Sequence, residues 1–354
     1  MDKPSTARRH RAWTVLLPVV GLVAAGCGGG GGGGGSADGG DAQGGQESCY
    51  EGETLSFVVA YGEGGGFDVF ARTLAPYLEE ELGGTVIVEN QPGAGGLTAA
   101  NSLFAAEPDG LTVGFFSGQG LTGAVLGGSS GAQFELEEFT YIGRLAQDDR
   151  VLVTGPDAET DLEVLQQAGG LSFASAGPGG SDHVDATVLI PVLELDAEIV
   201  TGYKGSAETG LAVTTGDTDL SSGTVPSRMI GMQSGDLAPV LIIAEDRNEA
   251  FPDVPALMEL DLDEDQAALA GAHTELQSTG FVVLAPPAVP ENCVDELSSA
   301  YETAMSEPEF VAAMEEQYQP VEFTSGEELK EIVQSALDAP QEYRELLESA
   351  YANQ

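Results

Sequence analysis

The sequence predicts an α/β protein folded as two lobes with a cleft between them. Three observations carry this. Short apolar runs alternate with helix-period segments from Thr54 onward. The alternation restarts near Val151. A late apolar run, Phe281–Ala285 (FVVLA), has the pattern of a strand that could lead back to the first lobe.

Taken in order, residues 54–61 (TLSFVVAY) read as a buried strand and 62–66 (GEGGG) as a turn. Residues 67–82 read as a helix, with Phe70, Leu74, Tyr77, Leu78 and Leu82 on one face. Pro76 inside that pattern predicts a kink. Residues 85–89 (TVIVE) form a second strand, 90–96 (NQPGAGG) a turn cluster, 97–106 a small helix, 108–110 a turn and 111–116 a third strand. The order β-loop-α-β-loop-α-β implies parallel strands. The Gly-Ser stretch that follows Gly123 reads as a poor helix.

The second block holds VLVTG from Val151, strand Leu171–Ser175, a loop over 176–181, a helix over 182–193 and a strand over 198–201. Residues 203–213, 219–222 and 239–244 continue it. After Phe281–Ala285, Pro286, Pro287 and Pro290 break the chain, and helical stretches over 292–305, 309–317 and 326–351 close it. Lobe 1 is therefore expected over 50–150 and 276–354, and lobe 2 over 151–275. Ligands in such folds sit at strand ends in the cleft.

Residues 1–26 have the order of an export signal: Lys3, Arg8, Arg9 and Arg11, then an apolar run from Ala12 to Ala25 that is short for a membrane span. Ala24-Ala25-Gly26-Cys27 resembles a bacterial lipobox, which implies cleavage before Cys27 and a diacylglyceryl thioether on its sulfur. Gly28 to Gly35 and the Gly/Asp/Gln-rich residues that follow, to about 49, read as a flexible tether with a reach of about 25 Å. The expected place is therefore extracytoplasmic: on the outer face of the cell membrane by a lipid anchor alone, or in a periplasm.

The whole chain has 58 acidic and 12 basic residues, a net charge of −46. Cleavage before Cys27 leaves 8 basic and 57 acidic residues, a net charge of −49. Such a surface does not neutralise a phosphate backbone, so nucleic acid is excluded as a partner. It suits a saline solvent that screens self-repulsion. The basic residues that remain are Arg72, Arg144, Arg150, Lys204, Arg228, Arg247, Lys330 and Arg344, and each position is worth a question. Cys49 and Cys293 are left as a pair in an exported chain, so a disulfide between them is plausible, with two free buried thiols as the alternative. His183 and His273 lack metal-ligand spacing, and no metal or cofactor is expected.

Several segments resemble one family in order along the chain. YGEGGGFDVFAR (61–72) is similar to the glycine loop of the tripartite tricarboxylate transporter receptors, also called the Bug family. VIVENQPGAGG (86–96) with PDGLT (108–112) resembles its second signature, and ASAGPGGSDH (174–183) and GYKG (202–205) its third and fourth. DVPAL (253–257) and APPAVP (285–290) fit later segments. The resemblance implies a two-lobed periplasmic-binding-protein type II fold. It also implies a receptor that passes a small organic acid to a membrane transporter of one large and one small subunit. Glu63, Phe67 and Gln91 depart from the family pattern; Glu63 and Phe67 border the expected site and point to a longer, more apolar or less charged ligand.

A carboxylate needs donors, and backbone N–H groups at a helix start supply them. Gly64, Gly65 and Gly66 allow close backbone approach there. Asp68 is expected to cap its helix, with Phe67 bordering the site. Ser117 and Gly118 end one strand, and Ser175, Gly180 and Ser181 do the same from the second lobe; each serine is about as well explained by a local turn bond. Tyr203 and Lys204 complete the candidates, and Arg72 reads as an ion-pairing scaffold residue. Gly118 to Gly123 satisfies G-x-G-x-x-G but comes late in the chain. Gly127 to Gly131 satisfies G-x-S-x-G without a strand leading into it, and Ser181, Asp182 and His183 are too close together for a triad. The reading is a receptor without catalysis. A sensory receptor on the same fold, and less plausibly a secreted hydrolase acting through Ser129, are the rivals.

Overall fold

The computed structural model describes residues 48–352 apart from 148, 157 and 320. The signal segment, Cys27 and the tether up to residue 47 lie outside the described residues.

Strands β1 (Thr54–Val59), β2 (Thr85–Asn90) and β3 (Thr112–Ser117) pair in parallel. Helices α1 (Gly66–Leu82) and α2 (Leu97–Phe104) connect them. Phe70, Leu74 and Leu78 of α1 are fully buried, whereas Pro76 is on its exposed side and the helix continues through it. Helix α3 (Gly118–Leu126) follows β3 and ends where the Gly-Ser stretch begins, at Gly127. Its glycines are packing sites, because added Cβ atoms would meet Thr279 at Gly118, the Gly179 carbonyl at Gly120 and Val184 at Gly123. Ser117 caps it through the Gly120 N–H at 3.0 Å.

Strand β4 (Thr140–Ala146) completes the first descent of the chain; the sequence reading passed over it. The chain then crosses to a second sheet made of β5 (Arg150–Thr154), β6 (Leu171–Ser175), β7 (Ala197–Thr201), β8 (Leu220–Thr224) and β9 (Ala238–Ile243). Helices α4 (Leu162–Gln167), α5 (Ser181–Val192), α6 (Ser206–Thr215) and α7 (Val225–Ser234) lie between its strands in the chain. Helix α8 (Glu264–Gln277) leads to β10 (Phe281–Ala285), which rejoins the first sheet between β3 and β4. The expected boundary at 275/276 thus falls inside a helix rather than in a linker.

Helices α9 (Glu291–Ser306) and α10 (Pro308–Glu315), the short strand β11 (Thr324–Ser325), and helices α11 (Gly326–Leu337) and α12 (Gln341–Tyr351) finish the chain. The single helix expected over 326–351 is divided at Pro340, which caps α12. The sheet orders are β11-β4-β10-β3-β1-β2 and β7-β6-β8-β5-β9. Each sheet mixes parallel pairs with antiparallel strands added after the crossovers. Phe57, Phe70, Phe115, Phe281 and Phe310 make a ring-on-ring core behind the first sheet. A disulfide joins Cys49 to Cys293 on α9, with Cα atoms 5.5 Å apart.

Candidate functional site

The helices that follow the strands of both sheets start on one cavity. Tyr61, Gly65, Gly66 and Phe67 line it from the first lobe. Arg150, Ala176, Gly180, Ser181 and Asp182 line it from the second, with Gly205, Ser206, Ser222, Gly223 and Thr224. Measured over positions open to the centre of a water molecule, its volume is about 30 Å³, room for about two waters. The lobes as they stand leave no space for the longer ligand suggested by Phe67. That ring is 8% exposed and stacks on Phe281 with centroids 4.1 Å apart, so it is itself part of the wall.

Gly65, Gly180 and Gly205 are the N-caps of α1, α5 and α6, and none of these starts has a side-chain cap. The first-turn N–H groups of a helix have no partner within it, and its positive dipole end is there. Glycine caps leave these donors without a competing side-chain acceptor, and three such ends on one cavity suit an anion. Thr224, at the start of α7, differs in that its own Oγ1 accepts from Ser227 N–H at 3.0 Å.

Two arginines stand behind this wall. Arg150 is 2% exposed and its Nε lies 2.6 Å from Asp185 Oδ2. Asp185 Oδ1 also takes Gln119 Nε2 at 2.8 Å and faces His273 Nε2 at 3.0 Å, and His273 in turn meets the Tyr343 hydroxyl. Burial alone would raise the Asp185 carboxyl, but Arg150 and His273 outweigh it and hold it well below the usual carboxylate range. Arg228 is 1% exposed and donates to Thr209, to the Ser222 carbonyl and to the Ser206 carbonyl. Burial lowers it to about 10, so it stays charged at neutral pH. Asp182 is pushed up to about 6, chiefly by burial. His183, beside it, is lowered to about 4 by burial.

The structure brings Gly65, Gly66, Phe67, Gly180 and Ser181 together around the cavity. The other candidates are placed elsewhere. Asp68 is not the cap of α1: it is the third residue of the helix, buried, where it accepts from Gly64 N–H and Asn90 and pairs with Arg72 at 2.9 Å. That leaves Gly64, at φ +79°, shaping the turn rather than lining the cavity. Arg72 is a scaffold residue with a second bond to Asn90. The Ser117 hydroxyl is used by its cap, its N–H donates to the Tyr61 hydroxyl, and Gly118 packs on Thr279. Ser175 is fully buried, accepting from Gly177 N–H and lying 3.3 Å from His183. Tyr203 is partly exposed, and the Lys204 ammonium is in solvent, 3.6 Å from Glu208.

What Lys204 contributes is its carbonyl, which accepts from Gly62 N–H at 2.9 Å across the cleft. A second bond between the lobes runs from Gly179 N–H to the Ala94 carbonyl at 3.0 Å. There Gly95 comes so close that a Cβ on it would be 2.2 Å from Gly180 N. The NQPGAGG turn and the 176–181 loop therefore meet backbone to backbone.

Sequence reasoning left Arg150, Asp182 and Thr224 without a role. The scarcity of cations was the available signal for Arg150, which stands at the head of the apolar run VLVTG and, once buried with that strand, needs a partner. Nothing in the local pattern marks Gln319, whose side chain reaches the Gly66 Cα from the distant segment after α10. Of the dismissed motifs, Gly127 to Gly131 is absent from the cavity lining and begins at the C-terminal end of α3, with no strand leading into it. Among the described residues, no group of three or more His, Cys, Asp or Glu could hold a metal ion.

The model of the tripartite tricarboxylate transporter family receptor matches residues 70–346. A UPF0065 protein of Bordetella pertussis is 28% identical over 263 residues, covering 73% of this chain and 78% of that protein. The structure of the periplasmic binding protein BugD superposes with a TM-score of 0.72 at 22% identity, covering 85% of this chain and 98% of BugD. MatC from Rhodopseudomonas palustris, solved with bound malate, gives 0.71 at 21% identity, covering 83% of this chain and 99% of MatC. These likenesses carry the two-lobed binding-protein fold, and the family match covers most of both lobes. The chain belongs to the tripartite tricarboxylate transporter receptor family.

Proposed function

We propose that this receptor captures a small organic acid between its lobes outside the cytoplasm and delivers it to a membrane transporter with one large and one small subunit. The observation that carries the reading is the convergence of three glycine-capped helix starts, at Gly65, Gly180 and Gly205, on one cavity beside Arg150. A net charge of −46 gives no general attraction for anions, so local donors must hold the carboxylate. Ser181 adds a neutral donor. Bound malate in MatC, on the same fold, supports the ligand class. Anchoring through Cys27 is part of the same proposal.

Closure of the lobes would bury the acid and present a joined surface to the transporter. Native mass spectrometry of the purified protein tests capture directly, by the mass of a co-purifying acid. A thermal-shift panel of carboxylates then ranks candidates, since a ligand at 100 times its Kd stabilises by about 2.7 kcal/mol. No shift with any carboxylate and no co-purifying acid would overturn the reading. Delivery is tested by uptake into vesicles holding the membrane subunits, with and without the receptor.

A further inference from the structure

We propose that Asp182 meets the carboxylate of the captured acid as a carboxylic acid, donating a proton from Oδ1, so that capture takes up one proton from solvent. The inference rests on the receptor reading above and specifies the chemistry of the same cavity.

Asp182 is the second residue of α5, lines the cavity and is 7% exposed. Its Oδ2 accepts the Ala176 N–H at 2.8 Å, which ties the 176–180 loop to the helix start. Its Oδ1 is buried and has no hydrogen-bond partner among the described residues. That oxygen lies over the α5 cap, since a Cβ on Gly180 would be 2.3 Å from it. A buried oxygen with no partner inside the protein is costly unless a bound molecule completes it.

The groups that face Asp182 decide what that molecule can be. Arg150 comes from β5, Arg228 from α7 and Asp185 from the next turn of α5. Tyr61, at the end of β1, and Tyr351, on α12, also feel its charge; burial keeps both in the neutral phenol form. His183, the next residue, is neutral above about pH 4. Two arginines thus face two aspartates, and this set is balanced when both aspartates are ionised. An organic anion drawn to the α1, α5 and α6 starts adds one negative charge next to Asp182. Two carboxylates in so small a space cannot both stay ionised, and one takes a proton.

Asp182 is the member that yields, because Asp185 is held ionised by Arg150 and His273. Burial has already brought Asp182 to about 6, and a neighbouring anion moves it further up. The balance is simple: one proton leaves solvent for Oδ1 as the acid binds, and returns when it leaves. No bond to the ligand forms or breaks.

The test is titration calorimetry of succinate, malate and adipate at pH 6.5, 7.5 and 8.5, in pairs of buffers with different ionisation heats. At pH 7.5 and 8.5 each acid is essentially fully ionised, and the small monoprotonated fraction at pH 6.5 is subtracted from the proton count. The expected result is that wild-type affinity falls about tenfold from pH 7.5 to 8.5, with close to one proton taken up per acid bound, and that both effects are smaller at pH 6.5, where Asp182 is already partly protonated. Asp182→Asn should show a flat pH profile and no proton uptake, and bind more tightly than wild type at pH 8.5. Its amide can leave the oxygen on Ala176 and donate from nitrogen at the Oδ1 position. A flat wild-type profile with no proton uptake overturns the inference and leaves the receptor reading standing. So does loss of binding in a folded Asp182→Asn, which would make Asp182 an ionised acceptor for a ligand hydroxyl or ammonium. Failure of all three acids to bind at every pH counts against the receptor reading itself. The wild-type proton count needs no variant, so the proposal stays falsifiable even if Asp182→Asn misfolds.

Discussion

The backbone N–H of Gly62 donates to the carbonyl of Lys204 at 2.9 Å, joining the first lobe to the second at the edge of the cavity. The side chain of Lys204 points away from this bond, into solvent beside Glu208. One of the few cations of the chain therefore serves closure through its main chain. An exposed pair four residues apart on a helix start contributes little. Lys204→Ala is expected to change acid affinity by less than about twofold. Gly62→Pro, which deletes the donor, should raise Kd with little change in melting temperature. Calorimetry on both variants checks this, and a large loss in Lys204→Ala would return the ammonium to the site.

Arg150→Met should both unfold the protein more easily and abolish acid binding. It strands the buried Asp185 carboxylate, whose loss of a partner costs on the order of 3 kcal/mol. Denaturant melts would show it. The double variant Arg150→Met/Asp185→Leu should recover most of that stability without recovering binding, which separates the two roles.

Asp182 and His183 are adjacent and have opposite pH linkages. The folded state raises Asp182 from 3.8 to about 6, so this residue favours folding at low pH and loses that contribution as pH rises from about 4 to 6. It lowers His183 from 6.5 to about 4, so this residue favours folding above about 6.5 and loses that contribution as pH falls towards 4. In the wild type the two slopes largely cancel between pH 4 and 6. Asp182→Asn removes one of them. The variant should gain on the order of 2 kcal/mol at pH 7 and lose it on acidification. Melting temperature against pH reads this out, and an unchanged wild-type profile in the variant would count against it.

Ser181→Ala should weaken acid binding about tenfold, the effect of losing one hydrogen bond to a charged group. Gly66→Leu should weaken it further, because its Cβ would lie 3.3 Å from Gln319 Nε2 at the cavity wall. Both should melt within a few degrees of wild type. Unchanged affinity in both would mean the acid binds elsewhere.

Cys293→Ser, or reduction of the disulfide, should cost about 2 to 4 kcal/mol, since the closed loop spans most of the folded chain. The shift should be seen in non-reducing against reducing melts, with acid affinity at 25 °C little changed.

Much of this was legible in the sequence because strands and turns carry local signals. The apolar run before the first glycine loop, the NQPGAGG turn and the 176–181 loop each mark a strand end by composition. They also form three of the walls that meet in the structure. What was illegible is what depends on distant partners. Gly118, Gly120 and Gly123 weaken a helix by propensity, yet they are required where α3 touches Thr279, Gly179 and Val184. Strand β4 was missed because Gly143 and Arg144 interrupt its apolar pattern; Arg144 is buried by bonds to Ser278, Glu322 and Thr324, all far along the chain. Lys204 drew attention for its charge, while Arg150 and Asp182 were hidden among apolar and loop residues. Charge in a sequence is visible, but which charge is desolvated is decided by packing.

The disulfide has a mechanical meaning as well. Cys49 lies a few residues before β1, an interior strand held between β2 and β3. Without the crosslink, a pull on the preceding chain would load the β1 ladder end-on and peel it from its neighbours. With it, tension passes at Cys49 into α9, where Glu296 also holds Ser48 and the Cys49 N–H, and the Tyr50 hydroxyl reaches the Cys293 carbonyl. Any pull on the chain before Cys49 would thus be borne by α9, which packs on α1 and β4. The strands that aim the glycine loops at the cavity are spared the load.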